Sequence, residues 1–148
     1  MNQQAGQQII GTFLDGFEKA LAGRDPGGRR IGSELKFPFV KADGTAIESQ
    51  TVDALWDYLA RRGWAPDVDA VSGRPVGAST PGEQNDTVAS CETGFCKTEF
   101  SLAHVGDLDA LVASEKGLRE TLHPFLDEQN ARLLGYGIQP VSKPSARL

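Results

Sequence analysis

Ile31-Gly32-Ser33-Glu34-Leu35-Lys36-Phe37-Pro38-Phe39-Val40 is the stretch that decides the architecture. Its residues alternate between apolar and polar with a period of two, which predicts a strand over 31–40 closed by the turn signal Asp43-Gly44. Successive side chains of a strand point to opposite faces, so Leu35, Phe37 and Phe39 share one face and Glu34 and Lys36 the other. A carboxylate in the middle of a core-building strand makes Glu34 the first candidate functional residue.

On the N-terminal side, Ile9, Ile10, Phe13, Leu14, Phe17 and Leu21 recur at steps of three and four. That spacing predicts an amphipathic helix over 7–21, ended by Gly23 and the loop Arg24-Asp25-Pro26-Gly27-Gly28. On the C-terminal side, Val52, Leu55, Trp56 and Leu59 form the buried stripe of a helix over 50–62, which Gly63 is placed to stop. Residues 64–85, rich in Gly, Pro and Asp, read as short strand pieces and loops. A hairpin over 87–103 follows, its strands 87–92 and 97–103 joined through Thr93-Gly94-Phe95-Cys96. In its second strand Phe100 and Leu102 share a face, while Lys97, Glu99 and Ser101 point the other way.

Asp107 is an N-cap for a long helix over 107–134, whose apolar side is Leu108, Leu111, Val112, Leu118, Leu122, Phe125 and Leu126. Pro124 has no amide hydrogen to donate and is expected to kink or divide that helix. After Gly135, a last strand is predicted over 136–141. There is no internal repeat. The order α, β, α, β-hairpin, α, β predicts an α+β fold, an antiparallel sheet with helices packed on one face.

The bulk numbers agree with one globular domain: 148 residues, 39% hydrophobic and 24% charged. A chain of that size buries roughly 68–70% of its unfolded surface, so it needs no disulfide or metal staple. Fifteen basic against twenty acidic residues leave a net charge of −5, which speaks against nucleic acid as a partner. Arg29-Arg30 and Arg61-Arg62 read as solvated loop and helix ends. No apolar run approaches the roughly 18–20 residues that cross a membrane, and the N-terminus lacks a basic, apolar leader. The expected location is therefore cytoplasmic, where Cys91 and Cys96 are reduced thiols with too few companions for a zinc or iron–sulfur site.

Three acidic residues stand out by position: Glu34, Glu92 and Glu99. If their strands share a sheet, the carboxylates project from one face, and oxygen donors of this kind suit a hard cation such as Mg2+. The competing reading is a solvated strand surface that holds nothing. His104, after a strand, and His123, in the long helix, read as structural. Gly27-Gly28 lacks the Gly-Lys-Ser/Thr ending of a phosphate loop, and Ser33, Ser90 and Ser101 have no nucleophile elbow.

Taken together, three segments resemble the glutamate–cysteine ligase family of the plant and proteobacterial type, which is related to the glutamine synthetase catalytic fold. Ile31-Gly32-Ser33-Glu34-Leu35-Lys36-Phe37-Pro38-Phe39 is similar to the family's Ile-Gly-x-Glu strand that continues into Lys-Phe-x-Phe. Cys91-Glu92-Thr93-Gly94-Phe95-Cys96-Lys97-Thr98-Glu99-Phe100-Ser101 resembles its hairpin, a Glu before a Gly-rich turn and a second Glu after it. Leu133-Leu134-Gly135-Tyr136-Gly137-Ile138-Gln139-Pro140 is similar to its Leu-Gly-x-Gly-x-Gln-Pro strand after the long helix. The resemblance runs from about Arg30 to Lys143.

It implies an ATP-dependent ligase that joins the γ-carboxylate of glutamate to the amine of cysteine through an acyl phosphate, the first step of glutathione synthesis. By the same resemblance, Glu34, Glu92 and Glu99 are the expected ligands of Mg2+ at the ATP and glutamate site. Two departures accompany it. Where many members carry a second Glu on the first strand this chain has Lys36, although a one-residue gap also aligns Glu34 with that second Glu. The hairpin is one residue longer, with Phe95-Cys96 in place of Gly.

Family enzymes also continue through later strands that bring further metal ligands and phosphate-binding basic residues, whereas this sequence ends at Leu148. The expectation is an N-terminal portion, a partial catalytic domain inactive alone, with exposed apolar surface at 136–141. It would form a homo-oligomer or pair with a C-terminal half. Two alternatives stay open: a non-catalytic binding or assembly module built on the ligase fold, and a ligase using another amine.

Overall fold

A computed structural model describes residues 3–22, 28, 30–82, 86–92 and 96–141. The elements in chain order are α1 (Gln3–Ala22), β1 (Glu34–Lys41), α2 (Ser49–Arg61), β2 (Ala65–Val68), β3 (Pro75–Ser79), β4 (Val88–Cys91), β5 (Lys97–Ser101), α3 (Leu108–Glu128) and β6 (Ala131–Leu133). The six strands form one sheet in the order β2-β3-β4-β5-β1-β6, and each neighbouring pair is antiparallel. The class is α+β, as the element order predicts.

β5 is one of the two middle strands, and β1 pairs beside it. Leu35 faces Phe100, Lys36 faces Glu99 and Phe37 faces Thr98 across the pair. Phe37, Phe39, Ala78, Ala89 and Phe100 line the core face, and the Phe37 and Phe100 rings meet at 6.1 Å. Val52, Leu55, Trp56 and Leu59 of α2 are buried in the same cluster as Leu118, Leu122 and Phe125 of α3. The two helices also touch each other. The Tyr58 ring packs tilted against Phe125 at 5.1 Å, and its hydroxyl donates to the Thr121 carbonyl at 2.6 Å.

The ends of both helices follow the sequence signals. Gly63 takes φ +87, its amide bonds to Ala60 and the Trp64 amide to Leu59, so the last carbonyls of α2 are satisfied by a left-handed cap. At the start of α3 the Asp107 carboxylate accepts from the Ala110 amide at 2.8 Å. α3 runs through Pro124 undivided. Leu108 and Val112, expected on its apolar side, are exposed, and burial begins in earnest only at Leu118.

The C-terminal boundary differs from the expectation. α3 stops at Glu128, not near 134, because Asn130 adopts φ +48, a left-handed conformation that Asn tolerates better than most residues. The chain then pairs with the end of β1 at once, Arg132 opposite Val40. Residues 136–141 form bends instead of a strand: Gly135, Gly137 and Pro140 disfavour a ladder there. Tyr136 and Ile138 are exposed, as the reading of 136–141 anticipates.

α1 forms where the periodicity places it, but it is not part of the core. Ile9, Ile10, Phe13, Leu14 and Phe17 are each 57–68% exposed. The loop at 23–27 and the hairpin turn at 93–95 lie outside the described residues. No helix among the described residues is long and apolar enough to cross a membrane.

Candidate functional site

The polar face of the sheet carries a row of side chains fixed by register. Asp67 of β2 lies opposite Gly77 of β3, Gly77 opposite Ser90 of β4, Ser90 opposite Glu99 of β5, and Glu99 opposite Lys36 of β1. Gly77 is needed in this row. The β3 backbone passes so close to β4 that a Cβ there would sit 2.6 Å from the Ala89 carbonyl oxygen.

All three carboxylates singled out in the sequence come to one place, around the Lys36 ammonium. Lys36 Nζ donates to Glu99 Oε2 in direct contact and to Glu92 Oε1 at 3.3 Å, with Glu34 Oε2 at 4.0 Å. Lys97 Nζ reaches the other oxygen of Glu92 at 3.2 Å. The Ser101 hydroxyl donates to Glu99 Oε1 at 3.3 Å. Backbone bonds from Phe39 to Cys96 and from Leu102 to Ser33 put the odd residues of β1 on the hydrogen-bonded positions. Lys36 and Glu99 are therefore a non-hydrogen-bonded pair, the kind whose side chains stand closest.

The environments grade from the strand interior outward. The Glu99 side chain is 15% exposed and that of Glu34 64%. The Lys97 hydrogen bond, then those of Glu99 and Lys36, bring the Glu92 carboxyl down to about 2. Lys36 is raised above the ordinary lysine value, first by its hydrogen bond to Glu99. Both shifts mark groups that hold their charge across the physiological range.

Divalent cations need several oxygen donors free to close on them at about 2.0–2.6 Å. Here the inner oxygens of Glu92 and Glu99 are committed to Lys36 and the outer oxygen of Glu92 to Lys97, and Lys36 Nζ stands at the point of convergence. Among the described residues no group of three or more His, Cys, Asp or Glu side chains is spaced to hold a metal ion. With Lys36 in place, Glu34, Glu92 and Glu99 do not form a cation's ligand set. Three carboxylates against two ammoniums also leave the cluster short of the positive charge that phosphate groups require.

The third quoted segment joins the other two. Gln139 Nε2 donates to the Phe39 carbonyl of β1 at 2.8 Å and lies 3.5 Å from the Cys96 carbonyl at the foot of the hairpin. The Leu134 amide bonds to the Pro38 carbonyl at 2.9 Å. Pro38 lacks an amide hydrogen, and it occupies the strand where only its carbonyl is used on that edge.

Cys96 is buried, with Sγ directed at the Ile47 carbonyl at 3.7 Å. His123 pairs with Asp127 at 3.1 Å on the outside of α3. His104 packs over Gly32, where a Cβ would come within 3.0 Å of its ring.

Reading the sequence for chemistry singled out the carboxylates and missed the lysines that neutralise them. The signal was present: Glu34-x-Lys36 and Lys97-x-Glu99 place opposite charges on the same face of two strands that pair. No protein-family model matches the chain, and no curated protein matches it in sequence.

Proposed function

We propose that this chain supplies the polar sheet face of an ATP-dependent carboxylate–amine ligase of the glutamate–cysteine type, and that catalysis requires further strands bearing metal ligands and phosphate-binding groups. One observation carries the reading. The three segments on which the resemblance rests, up to a hundred residues apart, meet at one spot, where Gln139 bonds the β1 backbone and reaches the hairpin. In such a ligase the face would orient the substrates. The divalent cation would be held by groups other than Glu34, Glu92 and Glu99 as they stand.

A second reading has its own support. The lysine-neutralised cluster favours a non-catalytic binding or assembly module that keeps the ligase sheet. Two measurements on the 148-residue chain separate the readings. Titration with glutamate, followed by amide chemical shifts, is expected to perturb Lys36, Ser90, Glu99 and Ser101. Absence of saturation at these residues, with ligand well above a Kd of about 1 mM, would remove the ligase reading. Saturable binding without phosphate release in the presence of ATP, glutamate and cysteine is what the ligase reading expects of this chain alone, since catalysis requires the further strands, whereas no binding leaves the module. Release that depends on both amino acids would show a working ligase without those strands, and on an amine other than cysteine, the related enzyme with another acceptor.

A further inference from the structure

We infer that Lys36 is a tethered counter-ion which closes the carboxylate cluster to divalent cations, so that the identity of residue 36 decides whether this face is a metal site. This inference stands on the geometry of the cluster and does not depend on the ligase reading.

Lys36 leaves β1 directly opposite Glu99, and its ammonium comes to rest among oxygens of Glu99, Glu92 and Glu34, the last at 4.0 Å. That is where three negative side chains converge, and so where a free cation would be drawn. A dication cannot share the position, because at a separation of about 4 Å two like charges repel strongly even in a polarisable surface environment. Nor can it displace the ammonium cheaply. The lysine is covalently attached, so it competes at a high and constant effective concentration.

The second lysine reinforces the effect from one side only. Lys97 holds the outer oxygen of Glu92 at 3.2 Å, whereas Glu99 and Glu34 have no contact with it. Removing Lys36 therefore leaves three carboxylates facing a vacant position with a single compensating charge at the margin. Hard cations take such oxygen donors, and Mn2+ is a paramagnetic probe of the same preference.

The experiment titrates Mn2+ into the full chain and into Lys36→Met and Lys36→Gln, following line broadening of the amides of Ser90, Glu99 and Ser101. Met keeps the length of the aliphatic stem, and Gln keeps polarity should Met perturb the strand. In the wild type these amides are expected to broaden no more than those of exposed acidic positions on α3, such as Asp109. In either folded variant they should broaden on the order of tenfold more at equal Mn2+, saturably. Adding Glu99→Gln should abolish the gain.

Saturable, site-specific broadening of these amides in the wild type, beyond that at Asp109, overturns the inference, and this arm needs no variant to fold. Unchanged amides in a folded Lys36→Met and a folded Lys36→Gln also overturn it, since the lysine would then not be what keeps the cation out.

Discussion

The ten residues that pair between β1 and β5 make two surfaces that obey different rules. Leu35, Phe37, Thr98 and Phe100 face the helices; Glu34, Lys36, Pro38, Lys97, Glu99 and Ser101 face the other way. On the core face any apolar group of the right volume contributes, because burial is non-directional. On the polar face each charge needs its particular partner within a few ångströms, or it repels its neighbours. The backbone is common to both, so a substitution on one face tests how far the other depends on it.

The largest effect is expected from emptying the core face. Phe100 is fully buried against Phe37, and Phe100→Ala should cost about 3–5 kcal/mol by the usual cost of deleting a core aromatic ring. Urea denaturation read by circular dichroism checks it. A loss below about 1 kcal/mol would mean that the sheet and helices are not held by this cluster. The next effect comes from the backbone the two faces share. Gly77→Ala forces a Cβ against the Ala89 carbonyl at 2.6 Å, so β3 or β4 must move, at about 1–3 kcal/mol as for other overpacked sites. If the thermal midpoint of Gly77→Ala equals that of the wild type, β3 does not approach β4 as described.

The same contrast explains what was legible in the sequence. The core face reads directly, because Leu35, Phe37 and Phe39 reveal a strand by themselves, and Val52, Leu55, Trp56 and Leu59 a helix. Local chemistry also gave the caps at Asp107 and Gly63. The polar face is a property of register. Lys36 meets Glu99 only because residues 63 apart are paired, and the alternating charges of Glu34-x-Lys36 and Lys97-x-Glu99 become partners only once that register is known.

α1 and α2 make a related point. Both show helical periodicity, yet α2 is buried while the apolar side of α1 is exposed, since α2 and α3 already fill the core. Periodicity names the face that prefers burial, not what covers it. The end of α3 was misread for a further reason. The expected helix runs to 134, but Asn130 takes a left-handed conformation before that point and ends it.

A smaller effect, of opposite sign, is expected where a polar atom sits on the wrong face. Thr98 is fully buried, and among the described residues its hydroxyl has no hydrogen-bond partner. Valine has nearly the same shape without the unpaired oxygen, so Thr98→Val should stabilise the protein by up to about 1 kcal/mol. A destabilisation in chemical denaturation would show that the hydroxyl is satisfied after all.

The smallest effect is confined to one pH window and lies wholly on the polar face. The Glu92 carboxyl is brought down to about 2 in the folded protein from an ordinary value of 4.5, chiefly because Lys97 donates to it. A depressed carboxyl favours the folded state above the unfolded value, and that contribution is lost as pH falls from about 4.5 through about 2. Lys97→Met removes the hydrogen bond that lowers Glu92 most while leaving the Lys36 bond in place. Its Glu92 carboxyl should titrate closer to the ordinary range by 13C NMR, and its acid unfolding should begin at higher pH. Because the charge pair acts only while Glu92 is ionised, the stability difference between Lys97→Met and wild type should shrink towards pH 2. Identical acid limbs for the two proteins would mean that Lys97 does not hold Glu92 in solution. The polar face would then be a loose set of solvated charges, unlike the packed face behind it.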